Sequence, residues 1–295
     1  MDSFAFPGLH GYQLIDSGEA EKLERVGPYL LRRPDPQAIW HRRLPASEWR
    51  EADFRFVRES DRGGYWDTKT SDLPKEWDLE IEGARFRIHP TPFKHIGLFP
   101  EQAVNWAWTS EQGRRIATEN GEKPRLLNLF GYTGVASILA AQSGWDVTHL
   151  DASRASVDWA AENSRRSDLD ERAIRWILDD ASRFVTRELR REKQYHGILL
   201  DPPHYGRGPK GEKWQFETGI MRLLEDVHSL LAPTPGSFLI LSSYAIGCSP
   251  LAFDNMLRDL GPGAVETGEL WVPEEGSTRR LSCGFCGRWQ RQDGG

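Results

Sequence analysis

The amino-acid sequence predicts an α/β fold, a mostly parallel sheet with helices on both faces, preceded by a small mainly-β domain. From about residue 93 to the end of the chain, short apolar, β-branched segments alternate with helical segments. Strands that alternate with helices form parallel sheets covered on both faces. Residues 1–92 instead contain frequent prolines and short apolar bursts. We therefore predict an accessory domain over residues 1–92 and an α/β domain over residues 93–295.

The predicted N-terminal domain shows strand patterns. Apolar bursts occur at residues 29–31 and 54–57. Residues 79–88 alternate between apolar and charged side chains around Gly83, which predicts a hairpin of two half-buried strands. We interpret the tryptophans of this domain as core residues rather than as a platform on which bases stack.

The α/β domain has a regular order of predicted elements. Strands are expected over residues 126–130, 146–150, 174–178, 197–200, 237–241, 264–272 and 280–289. Helices are expected over residues 135–142, 182–193 and 220–231, and around Val157, Ala160 and Ala161. The sequence therefore predicts a sheet of seven strands.

Composition and charge limit the classes of function. The chain of 295 residues is 38% hydrophobic and 28% charged, which excludes a disordered or repeat protein. Its net charge of -6 disfavours a small protein that coats nucleic acid, although a local basic groove is compatible with it. The uncharged residues 126–145 are too polar and too rich in glycine for a membrane span. Three cysteines and the absence of a secretory signal favour a cytoplasmic protein without membrane attachment.

Acidic residues follow three consecutive predicted strands. Asp151 ends the second strand, Asp179 and Asp180 end the third, and Asp201 ends the fourth. Because ligands of open α/β sheets bind at the carboxyl ends of the strands, we expect these acids to share one site. Asp151 lies 20 residues after Gly131, the spacing of the ribose-binding acid in nucleotide sites. Asp179 and Asp180 also suit a simple helix cap.

The loop after the first strand indicates which ligand to expect. Its glycines are Gly131 and Gly134, which is less than the Gly-x-Gly-x-x-Gly pattern of dinucleotide sites. They also suit an ordinary turn. A pyrophosphate therefore fits less well than a nucleoside held by its ribose, its adenine and an amino-acid tail. S-adenosyl-L-methionine has this structure.

Four segments resemble motifs I to IV of the class I S-adenosylmethionine-dependent methyltransferases. They are Asn128–Gly134, His149–Ser153, Asp179–Ala181 and Asp201–Gly208. The resemblance is to the branch that contains bacterial 23S ribosomal RNA large-subunit methyltransferases I and K, and residues 94–102 resemble an element that precedes motif I there. It covers residues 93 to about 245. It implies a Rossmann-like methyltransferase fold, S-adenosyl-L-methionine as the cofactor and a nucleobase in ribosomal or other structured RNA as the substrate.

The resemblance also implies which residues bind the cofactor. Asp151 would accept hydrogen bonds from both ribose hydroxyls, and Asp180 would accept one from the adenine amino group. The loop from Phe130 to Gly134 would frame the methionine part, and Phe99 and Gln102 would close over the cofactor. The full expected set is Phe99, Gln102, Asn128, Phe130, Gly131, Tyr132, Thr133, Gly134, Asp151, Ala152, Ser153, Asp180 and Ala181.

The predicted catalytic residues are Asp201, Pro202, Pro203 and Tyr205. The Asp201 carboxylate and the free Pro202 carbonyl would accept hydrogen bonds from an exocyclic amino group, which aims the nitrogen lone pair at the methyl group. Tyr205, or His204 beside it, would stack on the base. Tyr205 also suits a rim aromatic that packs on the next helix.

The cysteines argue against the alternative chemistry of this branch, methylation at carbon 5 of cytosine. That reaction needs a thiolate nucleophile, and the fifth predicted strand carries serines where a Ser-Cys-Ser sequence would be expected. We interpret Cys248 as an ordinary small residue. Cys283 and Cys286 have metal-site spacing but no second pair, so we expect no bound metal.

Two questions about the substrate stay open at this stage. Arg207, Lys210 and Lys213 are predicted to form a mobile basic loop, which suits either an RNA phosphate or plain solvation. The acidic net charge favours a small-molecule or protein substrate instead, and a non-catalytic cofactor-binding module is a third interpretation. The sequence does not determine whether the protein forms a homo-oligomer.

Overall fold

The computed structural model describes residues 4–60, 63–244 and 247–292. The strands are β1 (Tyr12–Gly18), β2 (Glu21–Val26), β3 (Tyr29–Pro34), β4 (Phe54–Ser60), β5 (Gly63–Thr68), β6 (Trp77–Ile81), β7 (Ala84–Ile88), β8 (Arg125–Leu129), β9 (Asp146–Asp151), β10 (Ile174–Leu178), β11 (Gly197–Leu200), β12 (Tyr205–Arg207), β13 (Lys213–Gln215), β14 (Phe238–Ser243), β15 (Ala264–Pro273) and β16 (Arg280–Gln290). The helices are α1 (Ala46–Arg50), α2 (Ala103–Asn120), α3 (Val135–Gln142), α4 (Arg154–Arg166), α5 (Ala181–Arg190), α6 (Phe216–His228) and α7 (Pro250–Arg258), and a 3-10 turn spans Pro100–Gln102.

The contacts between residues divide the chain into two compact units. The smaller unit comprises Phe6–Ala103 and Trp271–Cys283. The larger unit comprises the residues up to Ala5, Val104–Leu270 and the residues from Gly284 onward. This division differs from the predicted boundary between residues 92 and 93. The smaller unit also includes residues 93–103 and the part of the β15–β16 pair from Trp271 to Cys283. The division into domains 1–92 and 93–295 stays a proposal, which limited proteolysis would test.

The smaller unit contains a five-stranded sheet in the order β1-β2-β3-β4-β5 and the separate hairpin β6-β7. That hairpin has the alternation expected for residues 79–88, since Leu79 pairs with Phe86 and both are buried. Trp49 and Trp77 are also buried, with 1% and 9% exposed, as expected for core residues.

The larger unit contains the predicted sheet of seven strands, in the order β10-β9-β8-β11-β14-β16-β15. The first five of these strands are parallel to their neighbours and β16 runs antiparallel to β14. Helices cover both faces. The Rossmann-like α/β prediction is therefore confirmed. Chain order reverses between β8 and β11, the kind of switch point at which α/β sheets bind ligands.

Strand burial explains why the sequence forms this sheet. All four residues of β11 and all six of β14 are buried, and such continuous apolar segments are typical of central parallel strands. Leucines of β8 and β11 join a core that includes Phe184 of α5 and Leu223 and Leu224 of α6.

Three elements of the larger unit were not predicted: helix α2, helix α7 and the β12-β13 hairpin. Helix α2 contains Gly113, where a Cβ atom would lie 2.5 Å from Cε2 of Trp145, so this glycine serves close packing rather than a turn. The prediction that Arg207, Lys210 and Lys213 form a loop is wrong. This segment forms the antiparallel hairpin in which Arg207 pairs with Lys213.

Candidate active site

A cavity of about 310 Å³ lies at the carboxyl ends of β8, β9, β10 and β11. Its lining residues are Phe130, Tyr132, Leu150, Asp151, Ala152, Ser153, Ser156, Asp179, Asp180, Ala181, Asp201, Pro203, Gly206, Arg207, Gly208 and Trp214. Volumes of about 300–1,000 Å³ are usual for small-molecule sites. The acids that end three consecutive strands therefore do meet in one concave site.

The loop between β8 and α3 forms one wall of the cavity. Phe130 and Tyr132 adopt left-handed backbone conformations, with φ of 59° and 49°. Non-glycine residues rarely adopt such values and each costs about 1–3 kcal/mol. Gly134 is also left-handed, at φ 83°, and caps the start of α3. The loop holds a strained shape that exposes its backbone to the cavity.

A buried polar cluster supports this loop. His149 is 0% exposed, its Nδ1 lies 3.0 Å from the Ser137 hydroxyl, and Asn128 donates to the same hydroxyl at 2.9 Å. Burial lowers the pKa of His149 to about 3, which keeps the imidazole neutral. A Cβ atom at Gly131 would lie 2.5 Å from His149 Nδ1. Any side chain at position 131 would collide with the His149 ring, so this position requires glycine.

Asp151 links the loop to the end of β9. Its Oδ2 accepts the Tyr132 N–H at 2.9 Å, and its Oδ1 accepts the Ser153 N–H at 2.8 Å. Burial raises the pKa of this carboxyl, and the backbone hydrogen bonds oppose that shift. A carboxylate has about four acceptor positions, and the backbone of Tyr132, Ala152 and Ser153 does not use them all, so acceptor capacity stays available to a ligand in the cavity.

Asp179 and Asp180 differ in what they bind. Asp180 caps α5, because its Oδ1 accepts the Arg183 N–H at 3.0 Å. Asp179 pairs with Arg187 and accepts the Asp180 N–H at 2.8 Å. The helix-cap alternative is therefore confirmed for Asp180 and not for Asp179, and both residues line the cavity.

Asp201 follows β11 and reaches the cavity wall. The protein around its carboxyl raises the pKa to about 7 through desolvation, and a hydrogen bond with the Ser242 side chain opposes that rise. Solvent nevertheless reaches Asp201, which is exposed. Water therefore opposes part of the desolvation that raises the pKa. A ligand that displaces water from the cavity would increase the desolvation of Asp201 and raise its pKa further.

The two prolines after Asp201 are held by neighbouring elements. The buried Pro202 is not part of the lining, and its carbonyl accepts the Ser243 hydroxyl at 3.3 Å. One of the two acceptor positions of this carbonyl is therefore in use, and its role toward a substrate amino group stays a prediction. Pro203 lines the cavity, and its carbonyl accepts the Trp214 indole N–H at 2.7 Å. These contacts fix the turn that carries Asp201.

The predicted stacking aromatic is at a different place. Tyr205 is 63% exposed and is not among the residues that line the cavity. Its ring centroid lies 4.2 Å from that of His204, whose Nε2 lies 2.6 Å from Glu217 Oε1. The stacking role of Tyr205 stays a prediction.

Several other predicted residues do not contribute to the cavity lining. Asn128 is engaged by Ser137, and the buried Thr133 uses its carbonyl to accept a hydrogen bond from Asn163 at 2.9 Å. Gly131 and Gly134 belong to the loop after β8 but do not line the cavity. Phe99 and Gln102 belong to the smaller unit, where the ring centroids of Phe99 and His95 lie 5.3 Å apart. Contact of Phe99 and Gln102 with a cofactor stays a prediction.

Part of the lining was not among the predicted site residues. Trp214 lines the cavity and is 9% exposed, and its ring centroid lies 5.5 Å from that of Phe130. Gly206 and Gly208 belong to the same hairpin, and Leu150 and Ser156 belong to β9 and α4. A tryptophan 13 residues after Asp201 was visible in the sequence, but its contact with the loop depends on the hairpin register.

The cysteines lie outside the cavity lining, although the charge of Asp201 contributes to the raised pKa of the Cys286 thiol. Cys283 and Cys286 are buried in β16. Burial raises the pKa of the Cys286 thiol to about 12, which suppresses its thiolate. Among residues 4–60, 63–244 and 247–292, no cluster of three His, Cys, Asp or Glu side chains is suited to a metal ion. No helix in the same ranges is both long and apolar enough to cross a membrane.

Comparisons with known proteins agree with this geometry. A crystal structure of an S-adenosylmethionine-dependent methyltransferase from Agrobacterium tumefaciens is 38% identical, with a TM-score of 0.91 over 97% of this chain and 92% of that one. Ribosomal RNA large subunit methyltransferase K/L is 28% identical over 180 residues in Shewanella baltica and 27% over 189 residues in Aeromonas hydrophila. These matches cover 60% and 63% of this chain but only 24% of either relative.

A family model supplies the decisive comparison. The model described as S-adenosylmethionine-dependent methyltransferase matches residues 32–259, which is more than half of the chain. The matched residues include the loop after β8 and the acids that end β9, β10 and β11. The chain therefore belongs to the S-adenosylmethionine-dependent methyltransferases.

Proposed function

We propose that this protein methylates a nucleobase nitrogen in ribosomal or other structured RNA. The observation that carries the proposal is the position of Asp201 and Pro203 in the wall of the cavity that Asp151 and Asp180 also line. This arrangement brings a hydrogen-bond acceptor for an amino group beside acceptors for an adenosyl group.

The cavity suits the family's cofactor in its polar groups. S-adenosylmethionine supplies a methyl group on a sulfonium when it is bound. We propose that the available acceptor positions of Asp151 bind the ribose hydroxyls, since charged acceptors form strong hydrogen bonds. Asp180 uses one oxygen for its helix cap, and its carboxylate also faces the cavity, where it would accept from the adenine amino group.

Methyl transfer to nitrogen needs a lone pair aligned behind the methyl group, and positioning is the main contribution of the protein. The Asp201 carboxylate would accept an N–H of the target amino group and hold the nitrogen in that alignment. Protonation turns one carboxyl oxygen into a donor, so the ionised carboxylate is the better acceptor for an amino group. The raised pKa of Asp201 therefore predicts activity that increases with pH through the neutral range.

The cysteines favour nitrogen over carbon 5 as the methylated atom. Methylation at carbon 5 needs a thiolate that attacks the ring. The end of β14 carries Ser242 and Ser243, and neither they nor any cysteine lines the cavity. Cys248 packs against the apolar core, where burial raises the pKa of its thiol.

The names of the relatives support RNA as the substrate. The Shewanella and Aeromonas proteins are named ribosomal RNA methyltransferases. The chain spans about a quarter of their length, so their whole activity comes to it only as a proposal. The net charge of -6 supports the alternative, a small-molecule or protein substrate. A cytoplasmic location, where ribosomes work, is part of the proposal.

Transfer of tritiated methyl groups separates these substrates. The protein is incubated with labelled S-adenosylmethionine and, in parallel, with total RNA, with protein extract and with a small-molecule extract from cells that lack it. We expect label in RNA, and digestion followed by mass spectrometry to assign it to an N-methylated nucleoside. Label only in protein or small molecules, or a 5-methylcytidine product, would contradict the proposal.

A further inference from the structure

The hairpin that follows Asp201 has two different faces. Side chains alternate along strands, so Gly206 and Trp214 occupy one face and the neighbouring residues occupy the other. Trp214 is buried and bonded to Pro203. The second face, here called the outer face, comprises Tyr205, Arg207, Lys213 and Gln215, all of which are exposed.

The outer face holds two cations directly opposite each other. Arg207 pairs with Lys213 in the strand register, and like charges in such a pair destabilise a hairpin. Neither residue, nor Lys210 at the tip, forms an ion pair with any residue that the structure describes. The acid of this segment, Glu212, is already engaged by Arg183 and by the Lys210 N–H at 2.9 Å. A bound anion would relieve the repulsion.

Tyr205 presents a supported aromatic ring on the same face. Its ring lies over that of His204, with the centroids 4.2 Å apart, and Glu217 lies within hydrogen-bonding distance of His204. The ring is nevertheless 63% exposed, so it retains a surface on which a planar group can stack.

We propose that the outer face of this hairpin binds single-stranded RNA beside the target nucleotide, with Tyr205 stacked on a base and Arg207 and Lys213 in contact with phosphates. The inference rests on the proposed function and names its recognition surface. Aromatic rings interleaved with cations are typical of single-strand binding. Arg207 also lines the cavity, so the surface is continuous with the site of the target base.

The surrounding charge favours RNA over an acidic peptide. The chain has an excess of six acids, yet Tyr205–Gln215 contains three cations and one acid. An acidic peptide would match the cations but would not use the exposed ring. Stacking on bases uses both features.

The test measures binding of fluorescein-labelled single-stranded RNA of about 12 nucleotides, a length within the usual range of single-strand sites, by anisotropy at several salt concentrations. We expect Tyr205→Ala to weaken binding about 5- to 100-fold, as for loss of one stacked base. The double variant Arg207→Gln and Lys213→Gln should reduce the slope of log affinity against log salt by about 1.4, since each phosphate contact contributes about 0.7. Lys193→Gln, an exposed cation elsewhere, is the matched control.

The outcomes separate this inference from the proposed function. Thermal melting by circular dichroism first confirms that each variant is folded. If the wild type methylates RNA but the hairpin variants bind like Lys193→Gln, the hairpin assignment is wrong and the proposed function stands. A wild type that neither binds nor methylates RNA overturns both. Displacement of RNA by a polyglutamate peptide at matched charge, with no effect of Tyr205→Ala, would assign the face to an acidic protein and overturn the inference.

Discussion

The substitution Asp151→Ala tests the proposed ribose site. Each oxygen of Asp151 accepts a backbone N–H, from Tyr132 or Ser153, and acceptor capacity stays available for hydroxyl groups. Hydrogen bonds to charged groups contribute about 1.5–3 kcal/mol. At about 1.4 kcal/mol per tenfold change, the Kd for S-adenosylmethionine should rise about 10- to 150-fold in isothermal titration calorimetry.

The matched control is Asp158→Ala. Asp158 lies on α4, its side chain is 66% exposed, and its Oδ1 lies 3.9 Å from Nη1 of Arg154. This substitution removes an aspartate of the same region without changing the cavity, so the Kd should stay within twofold of the wild type.

A double-mutant cycle separates direct contact from disturbance of the loop, because Asp151→Ala also frees backbone N–H groups. The second change is made in the ligand, by replacing S-adenosylhomocysteine with its 2′-deoxy analogue. Direct contact predicts that Asp151→Ala weakens binding of the analogue less than binding of the parent compound. Equal losses for the two ligands, or no loss for either, would refute the assignment of Asp151 to the ribose.

Three further predictions concern Asp201 and Gly131. Asp201→Ala should lower turnover at least 100-fold in single-turnover assays, as expected for a lost general acid–base or positioning group. The Kd for S-adenosylmethionine, measured by titration, should change little. An equal loss of turnover and of cofactor affinity would show that Asp201 has a structural role. Because the pKa of Asp201 in the folded protein, about 7, exceeds the usual aspartate value of 3.8, ionisation destabilises the folded state as pH rises between these values. The Tm of Asp201→Asn relative to wild type should therefore be higher at pH 8 than at pH 5, and a pH-independent difference would contradict the shift. Gly131→Ala places a Cβ 2.5 Å from His149 Nδ1 and should cost about 1–3 kcal/mol of unfolding free energy in urea, whereas Gly247→Ala, with nothing within 4 Å, should cost less than half of that.

The sequence predicted those parts of the site that depend on local pattern. Apolar segments bounded by acids give both a buried strand and the position of its polar end, so Asp151, Asp180 and Asp201 could be placed at one edge. The strands over residues 174–178 and 197–200 and the helix over 135–142 were predicted with the observed bounds.

Parts that depend on contacts between distant segments could not be predicted. The Ser243 hydroxyl reaches Pro202 because β14 lies beside β11, and Trp214 reaches Pro203 because a hairpin turns it inward. Helix α2 was not predicted, and its Gly113 is required by close packing on Trp145, which follows a later turn of the chain. None of these three contacts has a local pattern in the sequence.

A crystal structure with S-adenosylhomocysteine tests the central claim most directly. The account predicts the ligand in the cavity at the ends of β8 to β11, with ribose hydroxyls at hydrogen-bonding distance, about 2.5–3.0 Å, from the Asp151 carboxylate. The adenine amino group should face Asp180, and the sulfur should face Asp201. A ligand bound elsewhere on the chain, or one in this cavity whose ribose avoids Asp151, would contradict the account.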